Sequence, residues 1–102
     1  MYYIYILFSE TADKFYIGYT QSPKERLLKH NQQEKFNTFT RKFRPWRIAA
    51  LFEVSDDKTL AMQIERFIKK QKSRKFTQML CDENSQLSGI LAQLVRVPNF
   101  RD

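Results

Sequence analysis

Two runs near the N-terminus do most to limit what this chain can fold into. Tyr2 to Phe8 ("YYIYILF") and Lys14 to Thr20 ("KFYIGYT") are rich in β-branched and aromatic side chains, and only the polar stretch "SETAD" separates them. Runs of this length and type read as strands, and so short a polar break joins them as an antiparallel hairpin. A four-residue loop over Ser9 to Ala12 sets Phe8 opposite Asp13, Tyr5 opposite Tyr16 and Tyr3 opposite Gly18. Both tyrosines then share one face. The chain has two glycines, and one of them, Gly18, lies inside the second run. Glycine weakens a strand, so its position needs a reason, such as a bulge or a close approach of another group.

Helix signals follow at once. "SPKE" at Ser22 to Glu25 offers a serine N-cap, a proline at the first helical position and a glutamate at the third, which together predict a capping box and a helix to about Asn31 or Gln32. Arg26 and His30, four apart, share one helical face. An irregular basic segment comes next, then "RIAALFEV" as a third strand from Arg47 or Ile48 to Val54. Asp56 or Asp57 caps a second helix whose buried stripe is Leu60, Ile64, Phe67, Ile68 and Gln71, with Glu65 at its margin. Arg74 to Leu80 reads as a third helix. The order β-β-α-β-α-α implies an α/β (α+β) fold, a three-stranded antiparallel sheet flanked by helices. We divide the chain into a domain over 1–81 and a partly ordered C-terminal tail over 82–102, in which the apolar run of "SGILAQLVRVPNFRD" from Ser88 suits helix or strand and is read as weakly helical in its first part.

A length of 102 residues fits one modest core. No run of eighteen apolar residues suggests a membrane span, and the N-terminus lacks the basic region and cleavage site of a secretory signal. With a single cysteine, Cys81, no internal disulfide can form, and a cytoplasmic location is expected. The formal charge is +7, and eleven of the eighteen cations fall in two acid-free segments, "KFNTFTRKFRPWR" (35–47) and "RFIKKQKSRK" (66–75). Such clustering suits a polyanion, although charge alone does not separate nucleic acid from an anionic membrane or an acidic protein. Lys35, Arg41, Lys42, Arg44, Arg47, Lys69 and Lys70 are the candidate backbone contacts. Trp46 is either an anchor for its loop or a platform for a base.

Several chemistries are excluded. One histidine and one cysteine cannot build a structural zinc site, and neither a nucleophile elbow nor a phosphate-binding glycine loop is present. What remains suits a phosphodiester. Arg26 offers a permanent cation whose donor fork matches phosphate oxygens. Glu65 could hold one Mg²⁺ or Mn²⁺, a hard ion that keeps most of its waters, eases deprotonation of an attacking water and steadies the leaving oxygen. Gly18 would leave the pocket floor open. Forming a tyrosine phenolate at neutral pH costs roughly 4 kcal/mol, so either a tyrosine helped by nearby cations or His30 could take the proton. Each residue also has a plainer role: the tyrosines in strand packing, Arg26 and His30 on a solvated helix face, Glu65 in a pair with Lys69.

Taken together these residues resemble the GIY-YIG nuclease superfamily. "YIY" at Tyr3 to Tyr5 stands where the family has Gly-Ile-Tyr, "YIG" at Tyr16 to Gly18 is the second half of the name, and about ten residues separate them. "YIGYT..P.ERL..HN", "RPWRI" and "A...E..IKK.KSRK" extend the likeness to the small stand-alone bacterial members and the structure-specific branch, over residues 2 to about 80. Tyr3 replaces the first glycine, as is common in the stand-alone branch. The resemblance implies a metal-dependent DNA endonuclease without a covalent intermediate, working with one Mg²⁺ or Mn²⁺ on DNA that is branched or of repair type. It places Tyr5 and Tyr16 at the attacking water, Arg26 on the scissile phosphate, His30 in support, Gly18 in the pocket and Glu65 on the metal. The alternative is a nucleic-acid-binding module that keeps the fold without turnover, for which RNA is also open as a ligand.

Overall fold

The computed structural model describes residues 1–98. Its elements run β1 (Tyr3–Ser9), β2 (Lys14–Thr20), α1 (Pro23–Gln32), α2 (Thr38–Lys42), β3 (Arg47–Glu53), α3 (Lys58–Lys70), α4 (Arg74–Cys81), a 3-10 turn (Gly89–Gln93) and β4 (Val95–Arg96). The sheet is antiparallel with spatial order β2-β1-β3-β4.

The hairpin register lies two residues from the expected one. Tyr5 faces Gly18 and Leu7 faces Tyr16, so the loop spans Glu10 to Asp13. Asp13 takes a left-handed backbone (φ 55), which aspartate tolerates better than most residues, and the buried Ser9 Oγ accepts the Ala12 N–H at 3.2 Å. Those local features move the turn along the chain. A shift of two preserves side-chain parity, so Tyr5 and Tyr16 still share a face.

Both faces of the sheet are covered. Ile4, Ile6 and Phe52 pack with Ile64 and Ile68 of α3 and Leu80 of α4. On the other face Tyr5, Leu7, Ile48 and Leu51 pack with Leu27 of α1 and Trp46. Along α3 the buried positions are Ala61, Ile64 and Ile68, whereas Phe67 and Gln71, expected in the stripe, are exposed. A sheet-facing stripe needs only the three-and-four spacing of the central residues, and those two sit past its edge.

Three further expectations are corrected. The Ser22 side chain makes no capping bond; the Ser22 N–H instead donates to Thr20 Oγ1 at 3.0 Å. The segment read as irregular contains α2, capped by Asn37, whose Oδ1 accepts the Thr40 N–H at 3.0 Å. The expected three-stranded sheet gains a fourth strand: β4 pairs with Phe52 and Glu53, just after the 3-10 turn that occupies the run read as weakly helical, and Leu91 and Leu94 are buried in the core. Residues 99–102 of the expected tail lie outside the described residues.

Gly18 is explained by its partner across the strands. A Cβ there would stand 2.5 Å from Cζ and 2.9 Å from Cε2 of Tyr5. The glycine therefore makes room for a tyrosine ring, and it also lines the cleft described below. That ring is 2% exposed and hydrogen-bonded at its tip, so it cannot swing away freely. Gly18→Ala is expected to lower stability by about 1–3 kcal/mol through overpacking, read as a shift in the urea unfolding midpoint.

Candidate functional site

At the end of the sheet where β1 begins and β2 finishes, a cleft of about 400 Å³ is bounded by Tyr5, Tyr16, Gly18, Arg26 and Glu65. Residues distant in sequence and carried by helices on opposite faces of the sheet therefore meet in one depression. Lys29 and Lys58 also line it, against Glu25. Sequence reading missed these two lysines, because nothing in their local pattern distinguishes them from solvated helix cations.

His30 lies behind the wall of this cleft. It is 1% exposed; Nε2 lies 2.9 Å from Tyr5 Oη and Nδ1 lies 2.8 Å from Thr40 Oγ1. Its ring centroid is 4.9 Å from that of Tyr16 and 4.9 Å from that of Phe36. The Tyr5 hydroxyl, which lines the cleft, is what joins the imidazole to it. Burial, chiefly, and then the neighbouring Tyr16 raise the Tyr5 phenol above its ordinary value, which Arg26 opposes. Tyr5 is thus a neutral phenol at physiological pH, which disfavours a standing phenolate as the base.

Tyr16 is held differently. Asn37 Nδ2 donates to its Oη at 3.1 Å, leaving its own proton free to face the cleft, and Lys69 Nζ sits 5.4 Å from its ring centre. Asn37 was not foreseen. The signal that could have found it is an asparagine before the helix-compatible run Thr38 to Lys42, an N-cap pattern. Glu65 is 17% exposed and Lys69 Nζ lies 3.6 Å from its Oε1, the i,i+4 pair that was the plainer reading.

The basic residues assigned to a nucleic-acid surface divide sharply. Arg44 caps the end of α1, donating to the backbone oxygens of His30 and, at 2.6 Å, Gln33. Arg47 pairs with Glu10 at 2.9 Å and covers the Phe8 ring, and Arg41 donates to Glu34 O at 2.8 Å. Trp46 is 2% exposed, with its indole N–H donating to Thr40 O at 2.8 Å. It anchors its loop and cannot stack on a base. Arg44 is likewise held within the protein, whereas Arg47 stays exposed beside Glu10. Lys35, Lys42 and Lys70 are exposed, and Lys69 stands at the margin of the cleft.

The model of the GIY-YIG catalytic domain matches residues 1–78. The chain belongs to the GIY-YIG family. A UPF0213 protein of Streptococcus pyogenes is 42% identical over 73 residues, covering 71% of this chain and 75% of that protein. The structure-specific endonuclease subunit SLX1 of Meyerozyma guilliermondii is 36% identical over 76 residues, 71% of this chain but 26% of that protein. An SLX1 homolog of Drosophila mojavensis is 32% identical over 71 residues, and 23% of it is covered. The chain thus spans about a quarter of the SLX1 proteins it matches and most of its UPF0213 relative.

As a metal centre, this GIY-YIG cleft offers a sparse donor set. Among the described residues there is no group of three or more His, Cys, Asp or Glu side chains. A cleft lined by two carboxylates, Glu25 and Glu65, does fit Mg²⁺ or Mn²⁺, which retain waters and complete their shell with phosphate oxygens. It does not fit an ion that needs an all-protein cage.

Burial, followed by the Arg26 and Arg44 cations, lowers the His30 pKa to about 4. An unfolded chain takes up this proton near the ordinary value of 6.5. Between these values the unfolded state holds more protons, so the contribution is complete above pH 6.5 and is lost as pH falls toward 4. Its full size is on the order of 3 kcal/mol. Urea unfolding is expected to show stability falling between pH 7 and pH 5. In His30→Gln, which keeps an amide donor and acceptor but no titratable ring, that slope flattens.

Proposed function

We propose that this protein is a divalent-metal-dependent DNA endonuclease acting in the cytoplasm by a one-metal mechanism on branched or repair-type DNA. The observation that carries the reading is the shared cleft of Tyr5, Tyr16, Arg26 and Glu65. The GIY-YIG catalytic domain match and the "structure-specific endonuclease" relatives support it.

Arg26 would bind the scissile phosphate through its guanidinium and oppose the charge gained in the pentacoordinate transition state. Glu65 would hold one Mg²⁺ or Mn²⁺; when bound, such an ion supplies Lewis acidity and stabilises the oxygen that leaves. For that, Lys69 must release the carboxylate and turn toward the phosphate. Tyr16, with Asn37 donating to its Oη, keeps its hydroxyl proton to orient the attacking water.

The proton of that water would pass to Tyr5 Oη as the Tyr5 proton moves to His30 Nε2. This requires the tautomer in which Nδ1–H donates to Thr40 Oγ1. A free site resists the transfer, because Arg26 helps keep the imidazole unprotonated. A phosphate seated on Arg26 offsets that repulsion and makes His30 a better acceptor. Hydrolysis breaks one P–O bond, leaving a phosphate end and a hydroxyl end whose oxygen takes its proton from solvent.

The sparse donor set also favours a second reading, a nucleic-acid-binding module without turnover. One experiment separates the two. Duplex, flap and junction DNA are incubated with protein and Mg²⁺ or Mn²⁺, with and without EDTA. Metal-dependent cleavage is expected, lowered about 10²- to 10³-fold in Arg26→Ala and lost in Glu65→Gln. Salt-sensitive binding that survives EDTA, with no cleavage of any substrate, would instead establish the binding module.

A further inference from the structure

A second groove, of about 510 Å³, adjoins the cleft and shares Tyr16 as a wall. Its lining brings together Lys14, Phe39, Lys69, Lys72 and Arg74. The one carboxylate along it, Asp13, is paired with Arg74. The groove therefore carries an excess of positive charge.

Its aromatic member is unusual for its exposure. Phe39 is 43% exposed although large and apolar. One side of its ring stacks on Tyr16, with centroids 6.1 Å apart and planes inclined by 29°; Phe43 supports it edge-on at 5.1 Å. Lys14 Nζ lies 5.2 Å from the Phe43 ring centre. This is a flat apolar face amid cations, beside the residue that borders the candidate reaction site.

We propose that the groove binds a single-stranded DNA arm continuous with the strand cut in the cleft, one base stacking on Phe39 and its phosphates meeting Lys14, Lys69 and Lys72. This rests on the nuclease reading for the direction of the strand, though not for the binding itself. Duplex DNA does not satisfy the groove, because its base faces are already stacked within the helix. An unpaired base has a free π-face, and stacking on an aromatic side chain is tolerant of sequence. The positive lining matches the phosphates that run beside such bases. The enzyme would then prefer a phosphate at the junction between duplex and single strand.

The test measures fluorescence anisotropy of labelled oligothymidylate, without metal, for wild type, Phe39→Ala and Lys72→Ala, each checked for folding by circular dichroism. Phe39→Ala is expected to bind about tenfold more weakly. Lys72→Ala, remote from the cleft residues, is expected to lower the slope of log affinity against log salt by about 0.7. In Mg²⁺, wild type should cut a duplex bearing a single-stranded arm faster than a blunt duplex, and Lys72→Ala should narrow that preference without slowing blunt-duplex cleavage. Unchanged oligothymidylate binding in both variants overturns the proposal, even where blunt duplex is cut. Groove-dependent binding with no cleavage upholds the groove and removes the nuclease reading. Dimerisation abolished by Phe39→Ala, with no oligothymidylate bound, would overturn the proposal in favour of a second copy as occupant.

Discussion

The His30 imidazole, sealed between Tyr5 and Thr40, is the contact on which the geometry of the site depends. A buried ring with two nitrogens must be satisfied on both sides or lose the free energy of desolvation. Tyr5 from β1 satisfies one side and Thr40 from α2 the other. Thr40 in turn receives the Trp46 indole N–H through its carbonyl, and the Trp46 backbone is held from both directions by the Asn31 side chain. A single polar chain thus ties sheet, first helix, short helix and the start of β3 to one another. No buried side-chain nitrogen or oxygen among the described residues is left without a partner.

That chain positions the cleft from behind. With its tip held by His30, the Tyr5 ring lies over Gly18, and a side chain at residue 18 would displace it. Tyr16 packs on the other side of the imidazole and is steadied by Asn37. The front of the cleft is electrostatic: Arg26, Lys29 and Lys58 line it together with Glu25 and Glu65. Lys69 holds Glu65 while remaining over Tyr16. In the proposed reaction an arriving anion would compete for these cations and free the carboxylate.

Much of this was legible in the residues themselves. Strand-length aromatic runs, Asp57 before an amphipathic helix and the spacing of Arg26 and His30 follow local rules that tertiary structure had no reason to overturn. The hairpin register did not, because it turned on whether Asp13 would accept a left-handed backbone. The roles of Arg44 and Trp46 were hidden for a general reason: a cation or aromatic that serves the fold has the same letter as one that serves a ligand. Only the positions of the His30 and Thr40 carbonyls reveal which they are. The fourth strand was equally obscure, since a two-residue pairing leaves no periodic trace.

The central claim is that Glu65 and Arg26, on helices from opposite faces of the sheet, act on one phosphate. Its most direct test is a crystal of the Tyr5→Phe protein with Mn²⁺ and DNA, using anomalous scattering to locate the ion. The account predicts a manganese peak joining the Glu65 carboxylate to a DNA phosphate that also contacts Arg26. DNA lying across another surface, with no manganese at Glu65, would contradict it.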